Sequence, residues 1–395
     1  MDHLPTKLLL EIFNQFLPPL VTGYDTADAS DMSLEEQVKL FKILVSCSLV
    51  CKGWREVIKD NPTLFSRDAH YLSDGGLASR DCLRPKEDYV KRLVVEEAHT
   101  VGSTSNRSFP FFPNVAYVTW TGKITWDEYY LGREVAHPPL NNLTRLDWRL
   151  CDNLETSVRS FIMLLQNSPV LIYLTVAEAE TSLRGTGGWQ VQVDIPDSVT
   201  TLGLFFSPRR GQNLGWWVGS KWLTGPATSL KHVITSGSFR PTFSFSTIEL
   251  RPDPCSITKS LIPGLKYFLP EFLQNFLKDR LPRGGSTGGT LIYSVTSCPP
   301  PSSYYQRVAR RLEWVHKIVL KTSGSSQWTE DEKWDAVRWH LDFVFNQFRT
   351  VKSIDLCGDF LKWREGGAGG REILGRFEES ARGFNIAVRY VEQIP

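Results

Sequence analysis

A chain of 395 residues exceeds one ordinary compact core and suits two domains, or a small module followed by a solenoid. With 41% hydrophobic and 22% charged residues it is globular. A formal net charge of +2 gives no electrostatic footprint for nucleic acid or an anionic membrane, so neither is expected as a partner.

The chain opens Met-Asp-His-Leu-Pro, with no basic n-region and no apolar h-region, and no apolar run approaches about 18 residues. An intracellular protein, cytoplasmic or nuclear or both, is expected. Its seven cysteines, odd in number and without a Cys-x-x-Cys pair, are then reduced and hold no structural zinc. The glycosylation sequons at Asn106 and Asn142 are idle in that setting.

From Leu4 to Leu17 the apolar residues Leu8, Leu9, Ile12, Phe13 and Phe16 fall on one helical face. Pro5 sits in the first turn, where its missing N–H costs nothing, and Pro18-Pro19 stops the helix. A loop over 19–32 follows. Ser33-Leu-Glu-Glu36 is a capping-box signature and predicts a second helix with Val38, Phe41, Leu44 and Val45 on its apolar face. The segment Leu49-Val50-Cys51-Lys52-Gly53-Trp54-Arg55 then leads through Val57 and Ile58 to a stop at Asn61-Pro62, and Leu64-Phe65 closes the unit. Three short helices in about 65 residues cannot bury all these large side chains on one another. The excess apolar surface faces either a partner or, as a helical lid, the following domain.

In order along the chain, Leu4-Pro5, Ile12-Phe13, Leu17, Leu49 to Arg55, and Pro62 with Leu64-Phe65 resemble the F-box family. The stretch between Leu17 and Leu49 is longer than that family usually has. The resemblance implies an F-box over residues 1–68 that docks on a Skp-family adaptor and, through it, on the cullin and RING subunits of a ubiquitin ligase. It implies adaptor-binding roles for Leu4, Pro5, Leu8, Leu9, Ile12, Phe13, Leu17, Leu49, Val50, Cys51, Trp54 and Leu64. Trp54 fits equally a docking anchor and a core residue of the module.

From residue 90 onward an apolar-x-x-apolar-x-apolar pattern recurs. Its middle residues are Leu93, Val118, Leu146, Leu174, Leu202 and Val233, spaced by 25, 28, 28, 28 and 31. Later matches centre on Ile318 and Ile354, and the register between 236 and 314 is unclear, with Phe245/Ile248/Leu250 and Leu291 to Val295 as candidates. The pattern resembles the strand part of a leucine-rich repeat, without the regular Asn ladder, as in the divergent repeats that follow F-boxes in many fungal proteins. Residues 156–167, 261–281 and the run opened by the capping box Thr329-x-x-Glu332 read as returning helices. The expected fold is α/β: a three-helix F-box module, then over 69–395 a solenoid with parallel strands inside and helices outside.

No catalytic constellation appears: there is no His-x-x-x-His pair, no Gly-x-Ser-x-Gly elbow and no phosphate-loop spacing. Gly366 to Gly370 reads as a flexible turn before a helix over 371–382. No cofactor and no enzymatic activity are expected. Trp216, Trp217 and Trp222, after Arg209-Arg210, cluster in a Gly-rich stretch. They pack a loop on the solenoid, serve as a hot spot for a target protein, or stack a sugar or nucleotide. Two further readings are open: an interaction scaffold outside any ligase, and an enzyme or binder with a sugar or nucleotide site in these loops.

Overall fold

The structure is a computed structural model. It describes residues 5–15, 42–61, 64, 68–72, 87–96, 112–121, 140–150, 164–178, 193–205, 223–224, 227–235, 245–250, 289–295, 315–322, 329, 335, 338, 340, 344, 350–366 and 368–391. The chain falls into two compact units, Met1–Thr186 and Gly187–Pro395. The 68/69 boundary read from the sequence lies inside the first unit, where Asp68 opens a strand.

The first unit begins with helix α1 (Thr6–Gln15), helical residues 42–48, and helix α2 (Lys52–Asp60). Five strands follow: β1 (Asp68–Leu72), β2 (Arg92–Glu96), β3 (Tyr117–Thr121), β4 (Arg145–Leu150) and β5 (Tyr173–Glu178). They pair in chain order, all parallel. The expected middle residues stand on one rung, Leu93 beside Val118, Val118 beside Leu146, and Leu146 beside Leu174. All four are buried. Side chains two apart share a face of a strand, so Trp120 and Trp148 join this core, stacked with centroids 5.4 Å apart and rings 13° from parallel.

Strands β3, β4 and β5 are entered the same way. A turn closes from Val115 N–H to Phe112 C=O (3.4 Å), from Leu143 to Leu140 (3.1 Å) and from Leu171 to Ser168 (3.3 Å). Pro113-Asn114, Asn141-Asn142 and Pro169-Val170 occupy the turn centres, where proline presets φ and asparagine bonds locally. Asn142 Nδ2 donates to Asn114 Oδ1 at 3.3 Å, and Asn114 Nδ2 donates to the Asp88 carbonyl at 2.9 Å, tying successive turns together.

The second unit holds β7 (Thr201–Phe205), β9 (His232–Thr235), β10 (Thr247–Leu250), β11 (Gly289–Val295), β12 (Val315–Thr322), β13 (Ser353–Cys357) and β14 (Ala387–Val391), parallel and in that order. A separate parallel pair joins β6 (Val193–Asp194) to β8 (Leu223–Thr224). The stretch left unclear by periodicity is filled by β10 and β11, whose Ile248 and Leu291 share a rung. The same turn recurs, Val199 N–H to Pro196 C=O and Leu230 to Ala227, both 3.0 Å.

Helices α3 (Phe360–Gly366) and α4 (Ala368–Gly383) lie between β13 and β14. Here the sequence reading is corrected. Gly369 and Gly370 are helical and do not form a turn, because α4 starts at Ala368. Its buried stripe of Leu374, Phe377 and Ala381 outweighs the roughly 1 kcal/mol that each glycine costs in a helix. Of the expected return helices, residues 164–166 are helical, as are 335, 338, 340 and 344, with His340 and Val344 buried. Residues 33–41, 156–163, 261–281 and Glu332 lie outside the described residues.

Two glycines give opposite expected results. Gly375 sits exposed in mid-helix, and an added Cβ would meet nothing within 4 Å. Gly375→Ala is expected to stabilise the chain by about 0.5–1 kcal/mol in urea unfolding. Gly358 has φ +89, and a Cβ there would lie 2.6 Å from Thr322 Oγ1, the atom that accepts the Asp359 N–H at 2.7 Å. Gly358→Ala combines left-handed strain with a displaced hydrogen bond and is expected to cost about 2–3 kcal/mol.

Candidate docking surface

The N-terminal helices close around a small core. Leu9, Phe13, Leu44, Val57, Ile58 and Leu64 are buried together, with Leu10, Cys47 and Trp54 packed against them. Phe13 and Trp54 meet edge to face, centroids 5.6 Å apart at 80°. The Pro5 carbonyl accepts the Leu8 and Leu9 N–H groups at 2.9 and 3.1 Å and so starts α1. Asn61 ends α2 by donating its side-chain amide to the Val57 carbonyl at 2.7 Å.

Around this filled core stands an apolar remainder. Leu8, Ile43, Val45, Leu49 and Val50 are exposed, Leu49 at 69% and Val50 at 56%. The turn that carries Leu49 and Val50 is fixed from several sides. Leu49 N–H bonds to the Ser46 carbonyl and Val50 N–H to the Cys47 carbonyl, both 3.1 Å. Ser46 and Ser48 hydroxyls donate to the Lys42 and Val45 carbonyls at 2.9 and 2.6 Å, and Arg55 Nε donates to the Ser48 carbonyl at 3.2 Å. The helix-end carbonyls are thereby satisfied, and two branched apolar side chains are held in water on an ordered turn. Residues 1–68 match the F-box-like family model. The chain carries an F-box-like domain. No curated protein and no solved structure matches it.

The residues expected to contact an adaptor divide into two groups in this F-box-like domain. Pro5, Leu8, Leu49 and Val50 are exposed, and Ile12 and Cys51 are partly so. Leu9, Phe13 and Leu64 are at most 4% exposed, so in this conformation they offer no surface to a partner. Trp54 is half-buried against Phe13. Leu4 and Leu17 lie outside the described residues, as do Arg209, Arg210, Trp216, Trp217 and Trp222. The sequence reading placed Val45 on the apolar face of the second helix without naming it as a docking residue, and did not weigh Ile43; both are exposed.

The sheet of the first unit has a second face, opposite the Trp120–Trp148 core. There Tyr117 donates its hydroxyl to Asp147 Oδ2 at 2.5 Å, and Arg145 Nε donates to the same oxygen at 3.2 Å. The Arg145 and Arg92 guanidinium groups lie 4.8 and 5.8 Å from the Tyr117 ring centroid. Among the described residues no group of three or more His, Cys, Asp or Glu could hold a metal ion, and no helix is long and apolar enough to cross a membrane.

Proposed function

We propose that this chain is the target-recognition subunit of a Skp–cullin–F-box ubiquitin ligase. The F-box-like domain would dock the adaptor, and a leucine-rich-repeat-like solenoid of the divergent fungal kind would hold the target protein, with no chemistry done by the chain itself. One observation carries the reading: an F-box-like domain that buries Leu9, Phe13, Leu44, Val57, Ile58 and Leu64 on one another and still exposes Leu8, Ile43, Val45, Leu49 and Val50. A helix-based module with five such side chains in water is suited to an apolar groove. The recurrent turn and the parallel strands in chain order support a repeat architecture, in which each unit packs on its neighbours.

The test is co-elution of the purified chain with a purified Skp-type adaptor in size-exclusion chromatography, followed by addition of a cullin–RING pair. A stoichiometric complex is expected. Failure of the wild-type chain to bind the adaptor would remove the ligase reading in favour of a scaffold working through the same repeats. The reading of a sugar or nucleotide site rests on Trp216, Trp217 and Trp222, which lie outside the described residues, and on the glycines of 366–370, of which Gly366, Gly369 and Gly370 are helical.

A further inference from the structure

Of the two faces of the second unit's sheet, one carries the apolar ladder from Leu202 to Ile354. On the other, Glu249, Ile292, Val319, Asp355 and Arg389 form one rung across β10 to β14. Lys317 and Lys321 stand two residues to either side of Val319 on β12 and therefore share its face. Ile292 and Val319 stand between the two carboxylates on this rung and cluster with Cys357 as an apolar floor.

Asp355 is gripped from two sides, and Glu249 from one, with an imidazole beside it. Lys321 Nζ is 3.1 Å from Glu249 Oε1, and His232 Nε2 is 3.7 Å from Oε2. Lys317 Nζ is 2.7 Å from Asp355 Oδ2, and Arg389 Nε is 3.0 Å from Oδ1, with Nη2 donating to Oδ2 at 3.4 Å. The carboxylate side chains are 3% exposed, while those of Lys321, Lys317 and Arg389 are 18%, 27% and 58% exposed. Solvent therefore meets the cations, and the anions lie beneath them. Three cations stand over two carboxylates, so the excess is positive before His232 is counted.

Burying a carboxylate carries a desolvation penalty, and apolar residues of similar size often give a more stable protein. A buried pair is better explained by what it positions. An ammonium carries three N–H donors and a guanidinium five, more than Asp355 can take up, so Lys317 and Arg389 bring donors in excess of what that carboxylate accepts. Both are held in place beforehand, which lowers the entropy lost on binding an anion. We propose that this face of β10–β14 binds a carboxylate-rich, Asp/Glu-containing segment of a target protein. The inference deepens the target-receptor reading above and rests on it for the word target.

The probe is a fluorescein-labelled peptide of alternating Glu and Gly-Ser, titrated with the full chain and read by anisotropy. Controls are the Lys-substituted peptide, a phosphoserine peptide without carboxylates, and a single-stranded oligonucleotide. The acidic peptide should bind, more weakly as ionic strength rises, and the Lys peptide should not. Lys317→Gln and Arg389→Gln should each weaken it about tenfold, and Arg389→Lys should recover part of that loss. If Lys317→Gln melts early because Asp355 has lost a partner, Arg389→Gln decides alone, since Arg389 is the most exposed cation on an edge strand. No binding of the acidic peptide, equal binding by the folded Gln variants, or binding only of the phosphoserine peptide or the oligonucleotide overturns the inference. Adaptor capture is measured on the same samples. Capture without peptide binding overturns this inference alone, and peptide binding without capture overturns the ligase reading alone.

Discussion

Aspartate at both Leu49 and Val50 is expected to weaken capture of a Skp-type adaptor by at least about a thousandfold, a loss of roughly 4 kcal/mol or more. Burying a branched apolar side chain contributes about 1.5–3 kcal/mol, and a carboxylate left unpaired in a dry groove adds a further penalty. The domain itself should stay folded. Both residues stand on a turn whose hydrogen bonds are made by backbone, by Ser46 and Ser48 hydroxyls and by Arg55, none of which the substitution touches. Surface plasmon resonance against immobilised adaptor, with a circular dichroism melt of the same variant, gives the result. Unchanged affinity would show that the exposed turn is not the docking face. Phe13→Ala is the contrasting case, because Phe13 is fully buried and its removal should act by unfolding the domain.

The second large effect is structural. Trp148→Ala is expected to cost about 3–5 kcal/mol in urea denaturation, through lost burial, the cavity left behind and the loss of its ring partner. Trp148 is 1% exposed and Trp120 is 0% exposed. A loss under about 1 kcal/mol would mean that the space closes by local rearrangement and that this core is not close-packed.

Much of the sheet was legible because its signal repeats. Leu93, Val118, Leu146 and Leu174 each occupy the same rung, so one demand, a buried branched side chain in the middle of a short strand, was read several times over. Strands β1 and β14 were not foreseen. Among the described residues each has a strand neighbour on one side, and an edge strand carries a lighter apolar requirement: Ala69 is the buried residue described in β1, and Val388 is half-buried. The entry turns were missed for a different cause. Their signal is not hydrophobicity but Pro, Asn, Asp and Ser shortly before the strand, as in Pro113-Asn114 and Pro196-Asp197-Ser198. The split of the F-box-like residues into core and surface was illegible, since helical spacing places Leu8, Leu9, Ile12 and Phe13 on one broad stripe and only packing separates its edges. The ion pairs of β10 to β14 join residues far apart in the chain, Glu249 to Lys321 for instance, and no local pattern announces them.

Neighbouring strands in the second unit are separated by unequal lengths of chain, from 15 residues between Val233 and Ile248 to 43 between Ile248 and Leu291. Yet the strands at both intervals meet in register. The entropy of closing a loop scales with the logarithm of its length, so in that term the longer interval costs only about 1 kcal/mol more than the shorter. Growth of a connecting segment is therefore nearly neutral for the sheet, and the architecture can accumulate new surface between its strands without renegotiating its core. Such a chain can diversify by insertion.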